Sequence, residues 1–61
     1  MNRYRLDHVD GAGNLYLGGL REYDDDVEAK KRIQPLADYW KHHGHKVIIS
    51  RVLDSGVCIT I

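Results

Sequence analysis

DDDVEAKKRIQPLADYWKHH, residues 24–43, is the one stretch long and periodic enough to form a substantial helix, and the remaining segments are short enough to be arranged around it. Ala29, Ile33, Leu36, Ala37 and Trp40 recur at steps of three and four, which puts them on one stripe of a 3.6-residue period and makes that stripe the expected buried face. Asp24, Asp25 and Asp26 stand where carboxylates can accept from the unpaired N–H groups of a first turn and meet the positive end of its dipole. Lys41, His42 and His43 suit the opposite pole, and Gly44 is placed to take the left-handed conformation that ends a helix. Glu28 precedes Arg32 by four residues and Asp38 precedes His42 by four, pairs worth about 0.3 kcal/mol each on an exposed face. Pro35 is the discordant residue, because it lacks a backbone donor and clashes with the Lys31 carbonyl, at about 3 kcal/mol in a regular interior. The apolar stripe stays in phase across it, so one kinked helix is expected rather than two.

Outside the helix the chain is built of short extended runs. In Arg3–Val9, Tyr4 and Leu6 alternate with Arg5 and Asp7, as in a strand. Asp10–Asn14, DGAGN, has the composition of a turn, and Leu15–Leu20, LYLGGL, resumes an extended pattern; the two runs make a hairpin, with Gly18 and Gly19 marking a bulge or a close approach. His45–Leu53, HKVIISRVL, is rich in β-branched residues, and Asp54-Ser55-Gly56 connects it to Val57–Ile61. A three-residue loop with glycine last would pair Leu53 with Val57, Arg51 with Ile59 and Ile49 with Ile61, giving an apolar face broken only by Arg51. The expected fold is a single small α+β domain over residues 1–61, in β-β-α-β-β order, with the Pro-kinked helix laid across an antiparallel sheet of three or four strands.

Composition limits the function. Sixty-one residues lie near the lower bound for a self-sufficient core, since a domain of this size buries only about 60% of its unfolded surface. There is no Phe and one Trp, so Trp40 and four tyrosines supply the large-residue packing, and self-association would help. Nine basic residues balance nine acidic ones, against a general polyanion binder. A single Cys58, no apolar run of membrane-spanning length and no leader-like start lead to the expectation of a cytoplasmic protein with no membrane contact.

Candidate sites are correspondingly modest. His42, His43 and His45, with His8 and Cys58 elsewhere, are metal-ligand types, but adjacent histidines on a helix point about 100° apart and do not converge readily. No metal and no cofactor is expected. DGAGN lacks the third glycine of a dinucleotide loop, Tyr16 standing in its place, and as a calcium loop it would put Leu6 and Leu17 at oxygen-donor positions. No serine, histidine and aspartate can be brought together from sequence, so an enzyme is not expected. What remains is a protein-interaction module, such as an adaptor, inhibitor or accessory regulatory protein, acting on a partner or a second copy through free strand edges at Arg3–Val9 or Val57–Ile61. Its size is analogous to that of short accessory proteins of phages and mobile elements. Asp24, Asp25, Asp26, Arg51, His42 and His45 are the expected partner contacts. The alternative is a nucleic-acid-binding regulator using Lys30, Lys31, Arg32, Lys41 and Lys46, or a sheet face carrying Tyr4 and Tyr16.

Overall fold

The computed structural model describes all residues, Met1–Ile61. One helix, α1 (Asp26–His42), packs on an antiparallel sheet of five strands: β1 (Asn2–Val9), β2 (Leu15–Tyr16), β3 (Arg21–Tyr23), β4 (Lys46–Val52) and β5 (Cys58–Thr60). The order is therefore β-β-β-α-β-β, one strand more than the pattern of the sequence predicts. The extra element comes from splitting the Leu15–Leu20 run. β2 and β3 pair with the same side of β1, through His8–Tyr16 and Val9–Leu15 at one end and Asn2–Tyr23 through Tyr4–Arg21 at the other. Between them Leu17–Leu20 bows away from the ladder, and a Cβ on Gly18 would overlap the carbonyl oxygen of Leu6. The Gly-Gly dipeptide is thus both the bulge and the close approach.

β1 is not an edge strand, contrary to the expectation for Arg3–Val9. Its other side pairs with β4 in seven register positions from Arg3–Val52 to Val9–Lys46, so β1 and β4 form the centre of the sheet. That pairing spans the whole helix in sequence. β5 then flanks β4, with Arg51 opposite Ile59, Leu53 N–H donating to Val57 and Ile61 N–H donating to Ile49. The register is the one set by the Asp54-Ser55-Gly56 loop, in which Gly56 has φ +89°.

Helix α1 begins at Asp26, two residues inside the stretch read as helical from the sequence. Asp25 is the N-cap, and its side chain accepts from Glu28 N–H at 2.8 Å. The helix runs unbroken through Pro35, which sits on the exposed side where the carbonyl it leaves unpaired can reach water. At the far end Gly44 (φ +82°) donates to Lys41 and His45 donates to Trp40, the paired bonds of a Schellman motif. Ala29, Ile33 and Ala37 are buried against the sheet, while Leu36, expected on that stripe, is exposed and Trp40 is half-buried. Two of the three buried residues of the stripe are alanine, and Leu36 lies on its exposed flank.

The core is Tyr4, Leu6, Ala29, Ile33 and Ala37, flanked by Tyr23, Trp40, Val47, Ile49 and Ile61. Because Tyr4, Leu6 and His8 lie opposite Arg51, Ile49 and Val47, these six share the helix-facing side. The other side of the sheet has no covering helix. It carries the ion pair of Arg5 with Asp7 at 2.9 Å, and Asp7 is further capped by Gly18 N–H from the bulge. No helix is long and apolar enough to cross a membrane.

Candidate functional site

The expected partner contacts do not form one surface. Asp24 is exposed at the start of the helix, and Asp25 is occupied as its N-cap. Asp26 accepts from the Tyr4 hydroxyl at 2.7 Å and lies 3.7 Å from Arg51, so these two expected contacts are turned toward each other. Arg51 breaks the apolar face, as its place in the sequence requires, because it lies under the helix start. Its Nε is buried without a partner. His42 is exposed at the helix end. Tyr4, expected as a nucleic-acid contact, is wholly buried, and burial together with its bond to Asp26 pushes its hydroxyl pKa above the ordinary 10.0. It cannot present a ring to a base.

The basic residues separate as well. Arg32 is tied to Glu28 at 2.9 Å, which raises its already high pKa. Lys46 lies opposite Val9 on the side of the sheet away from the helix, and Lys31 is exposed on the helix. Only Lys30 and Lys41 meet in one place, the flank of α1 facing β4.

An arrangement the sequence does not announce forms at the helix C-terminus. The His8 ring is stacked between Trp40, with centroids 4.0 Å apart and planes 15° from parallel, and Tyr16, at 5.0 Å and 14°. His45 joins from the edge, its Nδ1 2.9 Å from Nδ1 of His8, so one of these nitrogens donates and the other accepts a single shared proton. Local chemistry explains each position. The Schellman bond carries His45 back over Trp40, and strand alternation from Tyr4 through Leu6 sets His8 beneath the helix. Tyr16 is held by Asp10, whose carboxylate accepts from its hydroxyl at 3.0 Å and from the backbone of Ala12 and Asn14 at 2.9 Å each. The bonds from Asn14 are the main reason the Asp10 pKa is lowered to about 2, and the hydrogen bond Tyr16 makes to Asp10, followed by the Asp10 charge, raises that of Tyr16. His43 instead has its Nδ1 2.8 Å from the carbonyl of Tyr39. No three side chains of His, Cys, Asp or Glu come together in the geometry of a metal site, and Cys58 is exposed on β5, away from the histidines. The cluster offers stacked rings and one shared proton.

The third feature is the set of free strand edges. β5 pairs on one side only, and all three of its residues are exposed. Since Val57, Ile59 and Ile61 direct their backbone groups to β4, those of Cys58 and Thr60 point outward. A cavity of about 360 Å³ lies between α1 and β4, lined by Lys30, Gln34 and Lys41 on one wall and Val47, Ile49 and Ile61 at its floor.

Compared with known proteins, the chain matches no family model, no curated protein and no solved structure.

Proposed function

We propose that this chain is a non-enzymatic protein-interaction module, an adaptor, inhibitor or accessory regulatory protein, that takes a partner or a second copy of itself by strand addition at β5. The observation that carries this reading is the outward-facing backbone of Cys58 and Thr60 on a fully exposed edge strand, beside exposed Val57 and Ile59. Main-chain hydrogen bonds would supply affinity, and the alternate side chains specificity. A chain with only seven of its 61 residues buried, five of them in the apolar core, would gain from the area such a partner covers. The exposed thiol of Cys58 fits a reducing compartment, and we place the module in the cytoplasm.

The test is affinity capture of the tagged protein from its native lysate with and without nuclease, repeated with Cys58→Pro. Proline there removes an outward N–H while leaving the bonds to β4, and edge strands tolerate it. Recovery of one stoichiometric protein that survives nuclease and is lost with Cys58→Pro supports the reading. Nuclease-sensitive recovery of nucleic acid overturns it in favour of a nucleic-acid-binding regulator.

A further inference from the structure

One of the contacts that join the end of α1 to the sheet is made by two histidines. His8 belongs to a central strand, β1, and His45 to the turn that leaves the helix, with their Nδ1 atoms 2.9 Å apart. The backbone fixes both partners. His8 is paired with Val47 on one side and with Tyr16 on the other, and the His45 N–H donates to the Trp40 carbonyl at 3.0 Å. The Trp40 ring lies 4.0 Å from His8 and 4.9 Å from His45 between centroids, so the indole packs on both imidazoles.

Counting hydrogens shows what this contact can do. With both rings neutral, one carries its hydrogen on Nδ1 and the other on Nε2, and a single N–H···N bond closes. A first proton from solvent goes to the free Nε2 of the donor ring and leaves that bond in place, now charge-assisted. A second has only the acceptor's Nδ1 left to take it. Two N–H groups and two positive charges would then face each other across 2.9 Å, and the bond is lost.

The surroundings offer no counter-charge in contact with either ring, since all four ion pairs of the chain use arginines. On the β2 side, Tyr16 stacks on His8 and turns its hydroxyl to Asp10, a carboxylate already bonded by Ala12 and Asn14 and, with a pKa of about 2, charged wherever histidines titrate. On the α1 side stand Trp40, Tyr39 and His43, the last with its Nδ1 at the Tyr39 carbonyl, while Lys41 turns to the flank facing β4. Lys46 of β4 and Asp7 of β1 lie on the far face of the sheet, Asp7 in its pair with Arg5.

We propose that His8 and His45 form a proton-operated latch, closed while one hydrogen lies between their Nδ1 atoms and opened when acid supplies a second. Opening moves His45, which stands in a turn, away from His8, which is held in a central strand, and frees the C-terminus of α1 from the sheet. The device is independent of strand addition at β5.

The test follows the ¹⁵N-labelled chain by NMR from about pH 8 to about pH 5, the range in which histidines change charge. At the alkaline end the ring ¹⁵N shifts of His8 and His45 are expected to show a shared hydrogen, one ring as Nδ1–H and the other as Nε2–H. On acidification the amide protection of Gly44 and His45 is expected to fall about tenfold or more, the effect of a coupling of about one pK unit, while that of Arg5 and Ser50, paired across the centre of the sheet, holds. His45→Asn places an amide where Nδ1 stood, able to bond His8 but not to take up a proton, and is expected to abolish the fall. The double variant His42→Gln/His43→Gln is expected to keep it. Without any variant, Nε2–H on both rings overturns the proposal, as does protection that is constant with pH or that falls equally at Arg5 and Ser50, which is general acid unfolding. A fall that survives His45→Asn, or that disappears in His42→Gln/His43→Gln, overturns it as well.

Discussion

The Tyr4 hydroxyl donates to the Asp26 carboxylate across 2.7 Å, joining the first strand to the first turn of the helix through the middle of the molecule. Tyr4 is wholly buried, and the phenol is neutral when protonated, so burial first and the Asp26 bond second raise its pKa in the folded state. The contribution to stability is thus fully present below the unfolded value near 10 and is lost as pH rises through the folded value. Tyr4→Phe is expected to cost about 1–2 kcal/mol at neutral pH, the loss of the hydrogen bond to Asp26 and of the longer one accepted from the Asn2 amide at 3.3 Å. It should also flatten the fall in stability above pH 10, leaving the part due to Tyr16. Urea unfolding of both proteins across the alkaline range checks the two effects together.

Asp10 should dominate the acid side of the turn. Its pKa of about 2 lies below its ordinary 3.8, because Asn14 and then Tyr16 and Ala12 bond its charged form. A depressed carboxylate contributes stability above its unfolded pKa and loses it as pH falls toward the folded one. Asp10→Asn is therefore expected to be less stable than the parent at pH 6, with the difference shrinking between about pH 4 and pH 2. Melting temperatures measured at intervals across that window check it, and a constant difference would remove Asp10 as the cause.

What the sequence reveals of this fold is what is encoded locally. The helix, its Asp25 cap and its Gly44 stop follow from residues within a turn of one another, and the β4–β5 register follows from a three-residue loop. The pairing of Tyr4 with Arg51 joins residues 47 apart, and nothing in the pattern of Arg3–Val9 tells a central strand from an edge one. The placing of Tyr4 on a contact surface failed for the same reason. A signal for His8 was present, since the alternation of Tyr4 and Leu6 continues to it and puts it on the helix side. Its meeting with Trp40 needed the helix direction, which only the assembled sheet supplies. Arg51 was legible as a break in an apolar face, but not as the neighbour of Asp26.

Gly18 and Gly19 should behave oppositely despite being adjacent. A Cβ at Gly18 meets the Leu6 backbone, which cannot move without disturbing the centre of the sheet, while one at Gly19 meets nothing within 4 Å. Gly18→Ala is expected to destabilise by about 1–3 kcal/mol, as overpacking does, and Gly19→Ala to stay within about 0.5 kcal/mol of the parent. Urea midpoints of the two variants decide whether the close approach or mere loop flexibility is what this dipeptide supplies.

Ile33 and Leu36 lie on the same stripe of the helix by sequence spacing, and the fold assigns them different weights. Ile33 is 1% exposed at the centre of the core, whereas Leu36 is 36% exposed on its flank. Truncating a buried isoleucine to alanine costs about 2–5 kcal/mol through lost transfer energy and the cavity left behind. At about 0.05–0.15 kcal/mol per residue, a chain of this length has a total stability of about 3–9 kcal/mol. Ile33→Ala is therefore expected to remove half or more of the stability and leave a measurable unfolded fraction at 37 °C, while Leu36→Ala is expected to cost about 1 kcal/mol or less. Circular-dichroism melts of the pair provide the check. Equal losses would mean that Leu36 is as deeply buried as Ile33, and that the helix is rotated toward β3 relative to the packing described above.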